Sequence, residues 1–392
     1  MTDPAAKPPR KQKANAYPWY SPRIWHGMRF RPWMRLLARH RFALHPLRIG
    51  MAVLVTPFTM FNSLAYRAQL ALYGKKIAAA TPHTPMVFIV GHWRSGTTFL
   101  HELMSLDEAY TSPTTMQCFG PCEFLLMGDF VSRWFNFIMP STRPMDNMKV
   151  GWSKPQEDEF ALLSLGAPSP YYRMAFPDHP AEGTEFLDME GIDEADLAKW
   201  RETLDLFVRM ITVQRDKPII LKSPTHTGRI GLLAEMYPDA KFIHIARNPL
   251  EVFASTERLW QTMDEIQAFQ HPKNPQYRQY IFDCFDRMYG GYFRDVHKLG
   301  ADRLVETRYE DIVADPVGEL EKIYVALGLG DFEQVRPQME AATAESRSFQ
   351  RNKHQMEDDL AAEIYRRWSQ YFERYGYAAD GTLGEEKPKA ES

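Results

Sequence analysis

Cysteine is scarce: Cys118, Cys122 and Cys284 are the three in 392 residues. That number builds no disulfide framework. Cys118 and Cys122 lie four apart, but no second Cys or His pair follows at zinc-ligand spacing, so no metal site is expected. Reduced structural thiols in a cytoplasmic protein are the expectation. A cleavable signal segment is not expected either, because no apolar stretch closely follows the basic start. The apolar run 49–62, "IGMAVLVTPFTMFN", falls short of the ~20 residues that span a bilayer. Pro57 is expected to interrupt it. No internal repeat is present.

What remains is ordinary globular composition, 44% hydrophobic and 25% charged. The net charge of −3 is spread unevenly. Residues 1–50 hold eleven Lys/Arg against Asp3, so this segment carries +10 and the rest −13. The stretch "YPWYSPRIWHGMRFRPWMRLLARHRF" is basic and rich in Trp. Two readings stay open for residues 17–62: an arm packed on the protein's own core, or contact with an anionic membrane surface at its inner face. Nucleic acid is not expected as a partner, since no base-reading motif accompanies the charge.

Residues 1–16 read as a disordered basic tail and 17–80 as a helical arm. The proline-containing linker "TPHTP" opens a unit over 81–376, and 377–392 read as a polar tail. Within the unit the pattern becomes α/β. Strands are expected at 86–90, 218–222, 240–246 and 302–309. Helices are expected at 97–106, 192–215, 227–236, 250–263, 316–327 and 356–376. This alternation predicts a P-loop-like parallel sheet wound by helices. Ligands bind such sheets at the carboxyl ends of the strands.

The candidate chemistry falls there. "GHWRSGTT" has Gly91 and Gly96 at phosphate-loop spacing, but Thr97 stands where that loop normally has lysine. The backbone N–H groups of Arg94, Ser95, Gly96, Thr97 and Thr98 can wrap an anion at the positive end of the next helix. Lys222 ends the second strand and Arg247 the third. Ser255 follows Arg247 by eight residues, and the pair suits a phosphate monoester. No clear pair of carboxylates is placed to hold Mg²⁺ for nucleoside triphosphate chemistry. A kinase of that type, or a nucleotide-binding module without catalysis, are the alternative readings.

Together these residues resemble the sulfotransferases that use 3′-phosphoadenosine 5′-phosphosulfate (PAPS). The resemblance covers about residues 86–320, and its bacterial branch extends it to about 376. The family's 5′-phosphosulfate loop resembles "WRSGTTF", with Arg94 where many cytosolic members carry lysine. Its 3′-phosphate motif resembles Arg247-Asn248-Pro249 with Ser255. "RYEDIVADP" is also similar, and implies Tyr309 near the adenine. The implied function is transfer of a sulfuryl group from PAPS to an acceptor hydroxyl, giving a sulfate ester and adenosine 3′,5′-bisphosphate. Such transfer moves less negative charge than phosphoryl transfer, so a metal is dispensable.

Arg94 and Lys222, the latter in "ILKSP", are then expected to stabilise the leaving phosphate. His226 is the first candidate for the general base. It lies four residues past Lys222, whereas many cytosolic members place histidine two past, where Pro224 stands here. Glu123 follows, then Glu159, with Glu157 and Asp158 as further options in "KPQEDEFALL". The glycine-rich C-terminal motif of cytosolic members is replaced by "SRSFQRNKHQ", and two readings stay open for it: Arg347, Arg351 or Lys353 closes over the 3′-phosphate, or the stretch is a solvated charge run. The aromatic and Met-rich segment 107–180 is expected to form an apolar pocket for a hydroxyl-bearing, lipid-like or aromatic acceptor.

Overall fold

A computed structural model of the chain describes residues 17, 21–139, 142, 150–273, 275–346 and 356–384. The expected tail at 1–16, residues 385–392 of the polar C-terminal tail, and Arg347, Arg351 and Lys353 lie outside these.

Four short apolar strands form the sheet: β1 (Val87–Val90), β2 (Ile220–Lys222), β3 (Lys241–Ala246) and β4 (Leu304–Arg308). All are parallel, in the order β2-β1-β3-β4. Ile89 pairs with Lys222 and with Ile243, so the carboxyl ends of β1, β2 and β3 lie at one edge of the sheet, with β3 running two residues past β1. The inner strands are buried on both faces, which is why they read as unbroken apolar runs rather than alternating ones. Successive side chains still part to opposite sides. Phe88, Val90 and Phe242 join one core; Val87, Ile89, Ile243 and Ile245 join the other.

The helices differ from expectation in three places. First, the arm is two helices, α1 (Phe30–Arg39) and α2 (Ile49–Ala79), and α2 passes through Pro57 without a break. Proline costs a helix interior about 3 kcal/mol. Tertiary anchoring overrides that cost here: Asn62 Nδ2 donates to the carbonyls of His26 (2.6 Å) and Met28 (3.0 Å). The arm's tryptophans Trp25 and Trp33 are fully buried against Phe269, so its inner side belongs to the main core. Second, the segment without visible periodicity contains three short helices, α3 (Thr97–Met104) leading into α4 (Thr115–Phe119), α5 (Phe124–Trp134) and α6 (Glu159–Leu165).

Beyond these, α7 (Glu194–Gln214), α8 (Ile230–Met236) and α9 (Pro249–Gln267) stand close to where they were expected. The third difference is α10 (Tyr277–Asp295), which had no counterpart in the sequence reading. It packs on the turn Pro224–Arg229, with Gly291 against Gly228; a Cβ on Gly291 would come 2.5 Å from the Gly228 carbonyl oxygen. Toward the C-terminus, α11 (Tyr309–Ala314) and α13 (Arg336–Ser346) are additions, α12 (Pro316–Leu327) stands where it was expected, and the helix expected over 356–376 is split into α14 (Asp358–Arg367) and α15 (Ser369–Tyr375). Tyr377, assigned to the tail in the sequence reading, is buried and donates to Glu310 at 2.8 Å.

Candidate active site

β1 ends in the loop 91–96 and α3 begins at Thr97. Two backbone features shape the loop. Gly96 has φ +101°, and a Cβ there would lie 2.3 Å from the Tyr309 ring, so only glycine fits. Arg94 also adopts a left-handed φ of +70°. Its side chain extends to α9, where Nε donates to Ser255 Oγ at 2.9 Å. Asn248 caps α9 by accepting from the N–H groups of Leu250 and Glu251, as the Asn-Pro turn implied.

Arg247 completes the rim. Its Nη1 donates to the Arg94 carbonyl (2.8 Å) and its Nη2 to Glu251 (2.6 Å). Its guanidinium stacks 4.4 Å from the centre of the Tyr309 ring. The two expected phosphate sites are therefore joined: Arg94, Arg247, Ser255 and Tyr309 form one basic rim around the loop. Ser95 Oγ and Arg247 Nε are buried there without a protein partner. Leaving such a group unpaired costs about 1–3 kcal/mol, so the rim suits an anion that satisfies both.

Beside the loop lies a cavity of about 160 Å³. Arg94, Thr97 and Thr98 stand on its loop side, and Phe119, Phe160, Trp260 and Met263 are among its apolar walls. Ile24 from the arm and Leu259, Trp260 and Met263 from α9 are contributions that the sequence reading missed. Glu157 lines this cavity; Lys222 lies behind it, buried. Lys222 Nζ donates to Thr98 Oγ1 at 3.3 Å and to Glu157 Oε1 at 2.8 Å. The other Glu157 oxygen accepts from the Tyr171 hydroxyl at 2.8 Å, and Trp93 Nε1 donates to that hydroxyl at 2.9 Å. Burial and the Glu157 charge push the Tyr171 hydroxyl well above the ordinary phenol range, so it stays a donor.

The three leading base candidates sit elsewhere. His226 is fully buried in the turn Pro224–Arg229, with Nε2 2.7 Å from Asp158 Oδ2 and its ring edge-on to Phe88 and Trp200. Burial would raise the Asp158 carboxyl, but the His226 charge and hydrogen bond hold it below the usual carboxylate range. Pro224, not His226, reaches the cavity. Glu159 is fully buried as well, held by Arg229 at 2.6 Å, Thr225 at 2.8 Å and Ser169 at 2.6 Å. Glu123 precedes α5 outside the cavity lining. Burial pushes its carboxyl up to about 8, so at neutral pH it holds its proton rather than taking one. Of the acidic cluster 157–159, only Glu157 faces the cavity. The α6 start sets this: Asp158 and Glu159 enter the core with the helix, and Glu157 stays outside its first turn.

The chain's known relatives agree with this architecture. The sulfotransferase family model matches residues 85–334. An omega-hydroxy-beta-dihydromenaquinone-9 sulfotransferase, Stf3, of Mycobacterium tuberculosis is 38% identical over 359 residues, 92% of each chain. The same protein of Mycobacterium bovis matches equally. Among solved structures, the sulfotransferase STF9 of Mycobacterium avium superposes with a TM-score of 0.67 at 17% identity, over 87% of this chain and 88% of that one. STF1 of Mycobacterium tuberculosis gives 0.59 at 18%, over 90% and 94%. These two share the fold. The family match over the sheet, loop and rim, with relatives aligned nearly end to end, settles the family: the chain belongs to the sulfotransferases.

Proposed function

We propose that this protein transfers a sulfuryl group from PAPS to the hydroxyl of an elongated, lipid-like acceptor, an alcohol of the hydroxylated prenyl-quinone kind named for its relatives. The observation that carries the reading is Lys222, which touches the phosphate loop through Thr98 and the apolar cavity through Glu157. The loop N–H groups and Ser95 bind the 5′-phosphosulfate, and Arg247 with Ser255 binds the 3′-phosphate.

Glu157 is the general base in this proposal. The acceptor hydroxyl gives its proton to the Glu157 carboxylate while its oxygen forms a new bond to sulfur. The bond from sulfur to the 5′-phosphate oxygen breaks on the opposite side. Lys222, Thr98 and the start of α3 stabilise the charge that gathers on the departing phosphate. Trp93 and Tyr171 hold Glu157 in place. Calorimetric titration tests the donor: adenosine 3′,5′-bisphosphate should bind more tightly than ADP. Equal affinity would sink the PAPS reading, because the rim would then ignore the 3′-phosphate.

A further inference from the structure

The helix α2 is built backwards for a helix in water. Its inner face mixes the polar Thr59, Asn62 and Gln69 with the smaller apolar Ala52, Val55 and Ala65 and with Ile77 near its end. Its outer face exposes Val53, Leu54, Phe58, Met60, Phe61 and Leu64, with Val53 at 65% and Leu64 at 68%. At 100° per residue these six fall on one side. No charged residue occurs between Ile49 and Tyr66. Single exposed apolar side chains need no explanation, but a contiguous ridge of them does.

We propose that the outer face of α2 docks on an anionic lipid bilayer, with the helix lying in the plane of the interface. Charge complementarity favours lipid over a second copy of the chain. The segment 1–50 carries +10. Its Arg31, Arg35, Arg39 and Arg41 are exposed on and just after α1, which packs beside α2. Pairing two copies would bring these cations together, whereas anionic headgroups neutralise them.

The helix with the turn before it, Pro46–Ala79, is long and apolar enough to cross a membrane. Its inner face, however, is tied to the body along its length. Trp33 Nε1 donates to Thr56 at 3.1 Å, Asn62 bonds the carbonyls of His26 and Met28, and Gln69 Nε2 donates to the Pro121 carbonyl at 3.1 Å. Crossing the bilayer would strand these groups in hydrocarbon. Only one face is free for lipid, which is the geometry of an interfacial helix.

The docked face adjoins the acceptor cavity. The Phe58 ring lies 5.1 Å from that of His26, two residues past Ile24 in the cavity wall. Phe137, 72% exposed, lies two residues before Met139, also in the wall. The docked face thus lies beside the wall of the cavity that Glu157 lines. Docking stands without the proposed reaction; delivery of the acceptor rests on it.

Flotation of the full chain with vesicles tests the docking. The protein should rise with phosphatidylcholine vesicles containing phosphatidylglycerol, and less with phosphatidylcholine alone. Leu54→Gln, Phe61→Gln and Leu64→Gln together should lower the partition coefficient at least tenfold. Tm and affinity for adenosine 3′,5′-bisphosphate should not change. The proposal is overturned if the wild-type chain fails to float, or if the triple variant floats equally well. It is also overturned if the wild type is a dimer in solution that the triple variant dissociates, or if carbonate washing shows a spanning helix. Failure to float with transfer to a water-soluble alcohol intact overturns the docking and leaves the reaction standing.

Discussion

Lys222 Nζ donates to Glu157 Oε1 across 2.8 Å, and this contact joins the phosphate loop to the acceptor cavity. The lysine is buried at the end of β2, while Glu157 keeps an edge on the cavity at 13% side-chain exposure. In the proposed reaction, one pair thus touches the territory of both substrates. Its members should act as a unit, and their effects on rate should not add.

Glu157→Gln keeps the shape and removes the base. It should lower kcat by ~10²–10⁴-fold, the usual worth of a positioned general base. Binding of adenosine 3′,5′-bisphosphate should hold. Combining it with Lys222→Met should cost less than the product of the two single losses, as steady-state kinetics on the three variants would show.

His226→Asn should act on stability rather than chemistry. It leaves the buried Asp158 carboxylate without its hydrogen-bond partner, which costs ~1–3 kcal/mol or more for a charged group. A urea titration should show that loss, while kcat measured well below the new Tm stays near wild type. A collapsed rate with unchanged stability would return His226 to the reaction.

Arg247→Ala should remove the distinction between adenosine 3′,5′-bisphosphate and ADP. A hydrogen-bonded charged partner is worth ~1.5–3 kcal/mol, or roughly 10–150-fold in Kd. Titration of both nucleotides reads it directly. A retained preference would place the 3′-phosphate elsewhere on the rim.

Glu123 gives a pH signature. Burial raises its carboxyl from 4.5 to about 8, so the folded protein binds one more proton than the unfolded chain between those values. Its contribution is intact below pH 4.5 and is lost as pH rises through about 8. Glu123→Gln, which mimics the protonated acid, should flatten that decline and be the more stable protein at pH 8. The difference is at most a few kcal/mol. Urea unfolding of both proteins at pH 5 and pH 8 measures it.

The sheet was legible because β1, β2 and β3 are short, buried and apolar, and each ends in or just before a chemically distinctive residue or loop. The loop, Lys222 and Arg247 were legible because strand ends place them, and Ser255 because of its eight-residue spacing from Arg247 into α9. The base was not. "QEDE" offers three adjacent acids, and their order says nothing of which one the start of α6 turns outward. His226 had the right chemistry, but Asp158, an ion partner far away in sequence, holds it in the core. Pro57 misled in the same way, since the local rule against proline lost to Asn62's bonds to the segment before α1. The α10 helix was missed because aromatic residues crowd several of its faces, which blurs a single apolar stripe. Tyr171 had a signal in "PSPYYRM", but only packing reveals that its hydroxyl meets Glu157.

The most direct measurement is sulfuryl transfer itself. The full chain should be incubated with ³⁵S-labelled PAPS and an ω-hydroxylated prenyl quinone in mixed micelles. The account predicts a labelled sulfate ester formed one-for-one with adenosine 3′,5′-bisphosphate, and its near-complete loss in Glu157→Gln. Wild-type protein that binds the bisphosphate yet labels no alcohol, or a Glu157→Gln variant that turns over at the wild-type rate, would contradict it.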